Sequence, residues 1–195
     1  MTDPEPLPIT LGESDRAALT EHFLALDSED RRLRFGASIS ETAIRSLDER
    51  IDFDRDAIFA IAGEDLRLVA VVHVAHYEGR AELGLSVLSG HRGRGLGNAL
   101  FARAVMHLRN RGIREVFVHC LAENGAMMRL ARRNRMRLAS GGGEADATLV
   151  LAPATPDSLL AEWFRDLAAR FTHGSRRDTR RAIDTLKAIT PHPVR

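Results

Sequence analysis

One stretch, "ELGLSVLSGHRGRGLGNALFARAVMHL" from Glu82 to Leu108, restricts the fold of this chain more than any other. Alternating apolar residues Leu83, Leu85 and Val87 predict a strand, and Leu96, Leu100, Ala104 and Leu108 predict a helix. Between them lie Gly93, Gly95 and Gly97. Glycines let a backbone take positive φ and let a ligand approach without meeting Cβ atoms, and the first amides of a helix have no internal partner. An anion is therefore expected at the helix start, held by a nest of amides and the positive end of the helix dipole, with Arg92 and Arg94 adding charge. A pyrophosphate suits those donors.

Two common phosphate-binding motifs are excluded by context. The turn has no Gly-Lys-Ser/Thr and so is not a Walker loop. A dinucleotide fingerprint would follow the first strand of a parallel unit, whereas three antiparallel strands are expected before this turn: Ala57 to Ala62, Arg67 to Tyr77 and Arg80 to Leu88. Upstream, a first strand is predicted near Ile9 to Leu11 and a helix from Ser14 to about Leu26. A helical piece follows near Leu33, and a helix opened by Ser40 carries Ile44, Leu47 and Ile51. Downstream come a strand from Glu115 to Leu121, a helix capped by Asn124, and two strands near Arg137 to Ser140 and Ala145 to Leu151. The fold class is α/β (α+β): a mixed, mostly antiparallel sheet flanked by helices. One domain over 1–152 is expected, then a two-helix extension over 153–195. Its first helix starts at Thr155-Pro156 with an apolar stripe through Leu159, Leu160, Trp163, Leu167 and Phe171, and its second covers Arg176 to Ile189. The stripe is expected to pack on its own domain, and a homodimer interface is the other use for it.

Composition narrows the partners. Basic and acidic residues number 28 and 27, so no global field draws nucleic acid or membrane, and no apolar run is long enough to cross a bilayer. The arginine-rich run "RLARRNRMRL" lacks interleaved aromatics and is expected to be a solvated helix face rather than an RNA contact. The lone Cys120 rules out an internal disulfide and suits a reducing cytoplasm. His73 and His76, three apart in a strand, point to opposite faces and do not form a metal pair.

Leu85-x-Val87-x-Ser89, then Arg92-x-x-Gly95-x-Gly97, a helix, a strand and Asn124 resembles the core of the GNAT N-acetyltransferases over about 57–151. The segment "AELGLSVLSGHRGRGLG" is most similar to bacterial protein lysine acetyltransferases of that family, which also begin it with Ala-Glu. The resemblance implies acetyl-CoA as cosubstrate, no metal, and an amine acceptor, either a small molecule or a protein lysine. It assigns coenzyme contacts to Val87, Ser89, Arg92, Gly93, Arg94, Gly95, Leu96, Gly97 and Asn124, the last being equally a helix cap. Glu82 takes the general-base position, and the backbone N–H of Val87 is the nearest match to the oxyanion donor. The residues alone also allow Glu82 to be a solvated strand glutamate paired with Arg80. Two departures stand out. Ala131 occupies the place of the family's acidic tyrosine, for which Tyr77 is a candidate substitute, and Arg135-Met136 replaces the usual Gly-Phe, so that turn is expected to close differently. A catalytically silent acyl-CoA sensor is the rival reading, supported by the missing tyrosine.

Overall fold

The computed structural model describes residues 7–169 and 171–172. Its strands follow the alternation of the sequence. β1 (Ile9–Leu11), β2 (Ala57–Ala62), β3 (Leu68–Tyr77) and β4 (Arg80–Val87) form an antiparallel run, and β5 (Glu115–Leu121) joins β4 in parallel. Beyond β5 lie β7 (Glu144–Val150) and then β6 (Arg137–Gly141), giving the order β1-β2-β3-β4-β5-β7-β6. Helix α4 (Leu96–Asn110) supplies the crossover that a parallel pair needs.

Each face of the sheet has its own core. Phe59, Val72, Val74, Leu83 and Val116 pack beneath α4, where Leu100, Ala104 and Leu108 are fully buried, and beside α5 (Gly125–Arg133). Ile58, Ala60 and Val71 face the other way, against Leu19 and Phe23 of α1 (Arg16–Leu24) and Ile44 of α3 (Glu41–Glu49). Helix α2 (Ser28–Phe35) lies between α1 and α3 in the chain. Its start is fixed by Asp27, which accepts the Asp30 N–H at 2.8 Å, and its end by Gly36 at φ 77°. Ser14 does not cap the first helix. It sits inside a 3-10 turn, Glu13–Asp15, held by the Gly12 N–H on the Asp15 carboxylate at 3.1 Å, and α1 begins only at Arg16.

The last helix of the described residues occupies 156–169, started by Thr155, whose hydroxyl accepts the Ser158 N–H at 3.2 Å. It meets the body through charge rather than through its apolar stripe. Arg103 of α4, 2% exposed, bonds Glu162 at 2.9 Å and Asp166 at 2.7 Å, and its guanidinium lies 4.1 Å over the Phe59 ring. Asn110 adds a bond to Glu162 at 2.7 Å. Burial opposes ionisation of Glu162, yet the Asn110 amide, Arg103 and Arg111 outweigh it and hold the carboxyl below its usual range. The stripe is left uncovered by the described residues: Trp163, Phe164 and Phe171 are 58%, 59% and 70% exposed. The first helix of the extension thus docks on its own domain through its polar positions, which bond the buried Arg103. The second expected helix, 176–189, lies outside the described residues.

Candidate active site

The site begins where two strands part. β4 and β5 pair at only three positions, Arg80 with Glu115, Ala81 with Val116 and Glu82 with Phe117. The Leu88 N–H donates to the Val69 carbonyl at 2.9 Å, and strand alternation then turns the backbones of Ser86, Gly84 and Glu82 toward β3. The amides of Leu83, Leu85 and Val87 consequently face the side that β5 has left. Val87 was the expected donor into this fork; Leu85, which the motif did not single out for that role, presents its amide in the same direction.

At the mouth of the fork, Gly93 and Gly95 take φ of 76° and 78°, and Gly95 is the N-cap of α4. The first helical bond runs from Ala99 N–H to Gly95 O at 3.0 Å, and no side chain caps the helix. The amides of Leu96, Gly97 and Asn98 therefore lack intrahelical partners. A Cβ on Gly93 or Gly95 would meet nothing within 4 Å, so the space over the turn is open to a ligand. Gly97 differs from expectation. It is helical, and its role is to leave the helix surface bare beside Leu85 and Val87, whose side chains would stand 4.0 Å from an added Cβ.

Turn, fork and α2 enclose a cleft of about 660 Å³. Val87, Arg92, Gly93, Gly95, Leu96, Gly97 and Asn124 line it, as does Ser86; Ser89 lies in the adjoining 3-10 turn Ser89–His91, and neither it nor Arg94 reaches the lining. Arg92 is engaged within the protein: its guanidinium pairs with Asp30 of α2, and its Nε donates to Val87 O at 3.3 Å. Asn124 caps α5 by accepting the Met127 N–H at 3.0 Å, and its amide nitrogen donates to Leu33 O at 3.3 Å, so it ties α5 to α2. A pyrophosphate fits these surroundings because the uncapped start of α4 offers free main-chain amides, and Arg34, Arg129 and Arg133 add positive charge to the lining.

Beneath the cleft, one face of β4 carries a line of polar groups. Ser86 donates to His22 Nε2 at 2.8 Å while His22 Nδ1–H donates to Leu68 O at 2.8 Å. Burial pushes the His22 imidazole down to about 4, so it is neutral near pH 7. Two positions along, Gly84 is covered by Arg34. Next is Glu82, which accepts from the Tyr77 hydroxyl at 3.4 Å. Glu82 does not line the cleft, and Tyr77 is 54% exposed and also outside it. Burial first, and then the Glu82 carboxylate, raises the Tyr77 phenol. The expected Glu82–Arg80 pair does not form, because Arg80 bonds Glu115 at 2.6 Å instead.

His73 is more than an ordinary strand residue. It pairs with Gly84 in register and holds Asp56 at 2.8 Å, and burial lowers its pKa despite that carboxylate. Its nearness to Glu82 was not legible in sequence, since Asp56 precedes β2 and only the β2–β3–β4 meander brings the three together. His76 faces the opposite way, its ring 6.0 Å from that of His107 on α4.

The two departures resolve differently. Ala131 is buried in the core below α5, and among the described residues no tyrosine hydroxyl lines the cleft. Arg135 closes its turn as a glycine would, in the left-handed region at φ 56°, while Met136 fills the core at 6% exposure. The turn closes through a left-handed arginine, whose Cβ carries the strain.

The acetyltransferase (GNAT) family model matches residues 20–135. Among solved structures, the GNAT domain of S. lividans PAT is 21% identical with a TM-score of 0.62, covering 74% of this chain and 88% of that one. The ribosomal-protein-S18-alanine N-acetyltransferase of Escherichia coli is 19% identical with a TM-score of 0.56, covering 76% and 95%. The PaiA N-acetyltransferase of Thermoplasma acidophilum, in complex with coenzyme A, is 16% identical with a TM-score of 0.55, covering 72% and 95%. No curated protein sequence matches significantly. With the family model spanning more than half the chain, and its matched region containing the fork, the glycine turn and Asn124, this protein belongs to the GNAT acetyltransferase family.

Proposed function

We propose that the protein transfers an acetyl group from acetyl-CoA to a primary amine by direct attack in a ternary complex. The observation that carries this reading is the fork: unpaired amides of Leu85 and Val87 open beside an uncapped helix start, and Glu82 stands at the last paired position. Acetyl-CoA, once bound, supplies the thioester carbon that the amine attacks. The amides at Gly93 to Asn98 hold the pyrophosphate. Val87, with Leu85 beside it, donates to the oxygen on which negative charge develops.

An alkylamine with a pKa near ~10.4 is mostly protonated at neutral pH, so a base must take its proton. Glu82 performs this, directly or through a water. Tyr77 orients the Glu82 carboxylate through its hydroxyl rather than serving as an acid, since it lies off the cleft. A thiol of pKa ~8.5 departs as thiolate with little help, which accommodates Ala131. In this reading 1–152 is the catalytic domain and 153–195 an appended element whose exposed stripe serves a homodimer, and the single buried Cys120 suits the cytoplasm.

The test is thiol release from acetyl-CoA across a panel of small amines and lysine peptides, with the natural chain and Glu82→Gln. Turnover that falls in the variant supports the proposal. Coenzyme binding with no turnover on any acceptor would sink it and leave a sensor.

A further inference from the structure

Arg34 is a cleft residue to which the coenzyme reading assigns no contact. It sits near the end of α2, and its side chain crosses to β4, where the flat guanidinium lies on the bare Cα of Gly84. A Cβ there would be 2.5 Å from Cζ and 2.6 Å from Nη1. The rings of Phe35 and Phe23 flank it at 5.0 and 5.7 Å. Its Nε is buried without a hydrogen-bond partner, and among the described residues no carboxylate forms an ion pair with it. Burial, only partly offset by the charge of Glu82, lowers its pKa to about 10.

This arrangement costs stability. A desolvated charge without a partner is ordinarily removed or paired, and a glycine inside a strand weakens it. The contrast with Arg92 is direct, because Asp30 of the same helix neutralises Arg92 whereas α2 offers Arg34 nothing. A partner from outside the chain accounts for both costs, and a guanidinium fork is shaped for a carboxylate.

Glu82 precedes Gly84 by two residues on the same face, so the proposed base and the Gly84 backbone under Arg34 are roughly 7 Å apart along the strand. An amine nitrogen and a carboxylate separated by one to three carbons, each with a hydrogen bond at its end, span that distance. We propose that Arg34 binds the carboxylate of the acceptor, and that the acceptor is a free amino acid whose amine is presented to Glu82. This rests on the acetyltransferase reading and narrows it to a small zwitterionic acceptor; a lysine side chain in a protein presents no such carboxylate.

The experiment compares amino acids with the amines left by removing their α-carboxylate, such as phenylalanine with phenethylamine and lysine with cadaverine. Each is titrated calorimetrically into the full chain saturated with CoA. At least one amino acid is expected to bind tenfold or more tightly than its decarboxylated partner. Arg34→Met should erase that preference, a 10- to 100-fold loss, leave CoA affinity unchanged, and keep or raise the melting temperature. Arg34→Lys, which keeps charge but not the fork, should restore part of the preference. Equal binding within every pair, no binding of any pair, or a loss of CoA affinity in Arg34→Met overturns the proposal. Selective binding without thiol release in the turnover assay would instead refute the acetyltransferase reading and leave the Arg34 site standing.

Discussion

The two sides of the fork are built from different material. On the proposed coenzyme side the donors are backbone amides at Leu85, Val87 and the start of α4, and the adjacent Arg92 is already paired with Asp30. On the other side the groups are side chains from separate elements: Arg34 from α2, Asp56 ahead of β2, His73 from β3 and Glu82 from β4. A backbone site can be specified in a few contiguous residues, whereas a side-chain site exists only once topology has collected it. In the proposed function, the first would hold the coenzyme through groups that most side-chain substitutions leave in place, and the second would select the acceptor through groups that a single substitution removes.

If that division holds, mutations should split cleanly between the two ligands. Gly95→Glu places an L-residue at φ 78° and a negative charge over the amides, so CoA affinity should fall by at least ~1,000-fold in calorimetry. Unchanged affinity would mean that the turn is not the phosphate site. Glu82→Gln should lower kcat on the order of 1,000-fold while leaving CoA affinity as it was. A matching loss of CoA affinity would show that the halves are not separable.

His22 joins the halves from below, through Ser86, and predicts an acid limit. Its folded pKa of about 4 lies under the unfolded value of 6.5, so the unfolded chain binds the proton first. Its contribution is complete above pH 6.5 and is lost as pH falls toward 4, by roughly 3 kcal/mol. Urea unfolding at several pH values should show a shallower decline for His22→Gln over that window, and identical slopes would refute the assignment. The smallest effect is expected at the edge of the coenzyme side, where Arg135→Gly relieves a left-handed arginine and should raise stability by about 1 kcal/mol in thermal unfolding.

How much of this was legible in the sequence follows the same division. Strand, glycine turn and α4 could be anticipated because alternation, glycine spacing and helical period are local signals, and the antiparallel meander followed from the same patterns. Of the two uses expected of Gly97, a positive φ and a bare surface, only the second is met, and the two look alike in a sequence. Arg135 concealed a left-handed turn that a glycine would have announced. Arg34 and the His73–Asp56 pair gave no signal at all: an arginine in "RRLRF" looks like a solvated helix end until the Gly84 backbone is laid beneath it. The apolar stripe over 159–171 shows a further limit, because helical periodicity identifies an apolar face but not the neighbour it meets, and here the acidic positions of the same helix turn toward the buried Arg103.

The three-rung ladder between β4 and β5 also works as a ruler. From Val87 down to Leu83 the open edge runs five residues, roughly 13 Å, before the Glu82–Phe117 rung shuts it. A slender ligand lying along that edge is stopped at a depth set by strand register, and each further rung zipped or unzipped would shift the stop by roughly 3.3 Å. In the proposed function, the reach of such a ligand toward Glu82 would be fixed by backbone pairing, which a side-chain substitution does not readily retune.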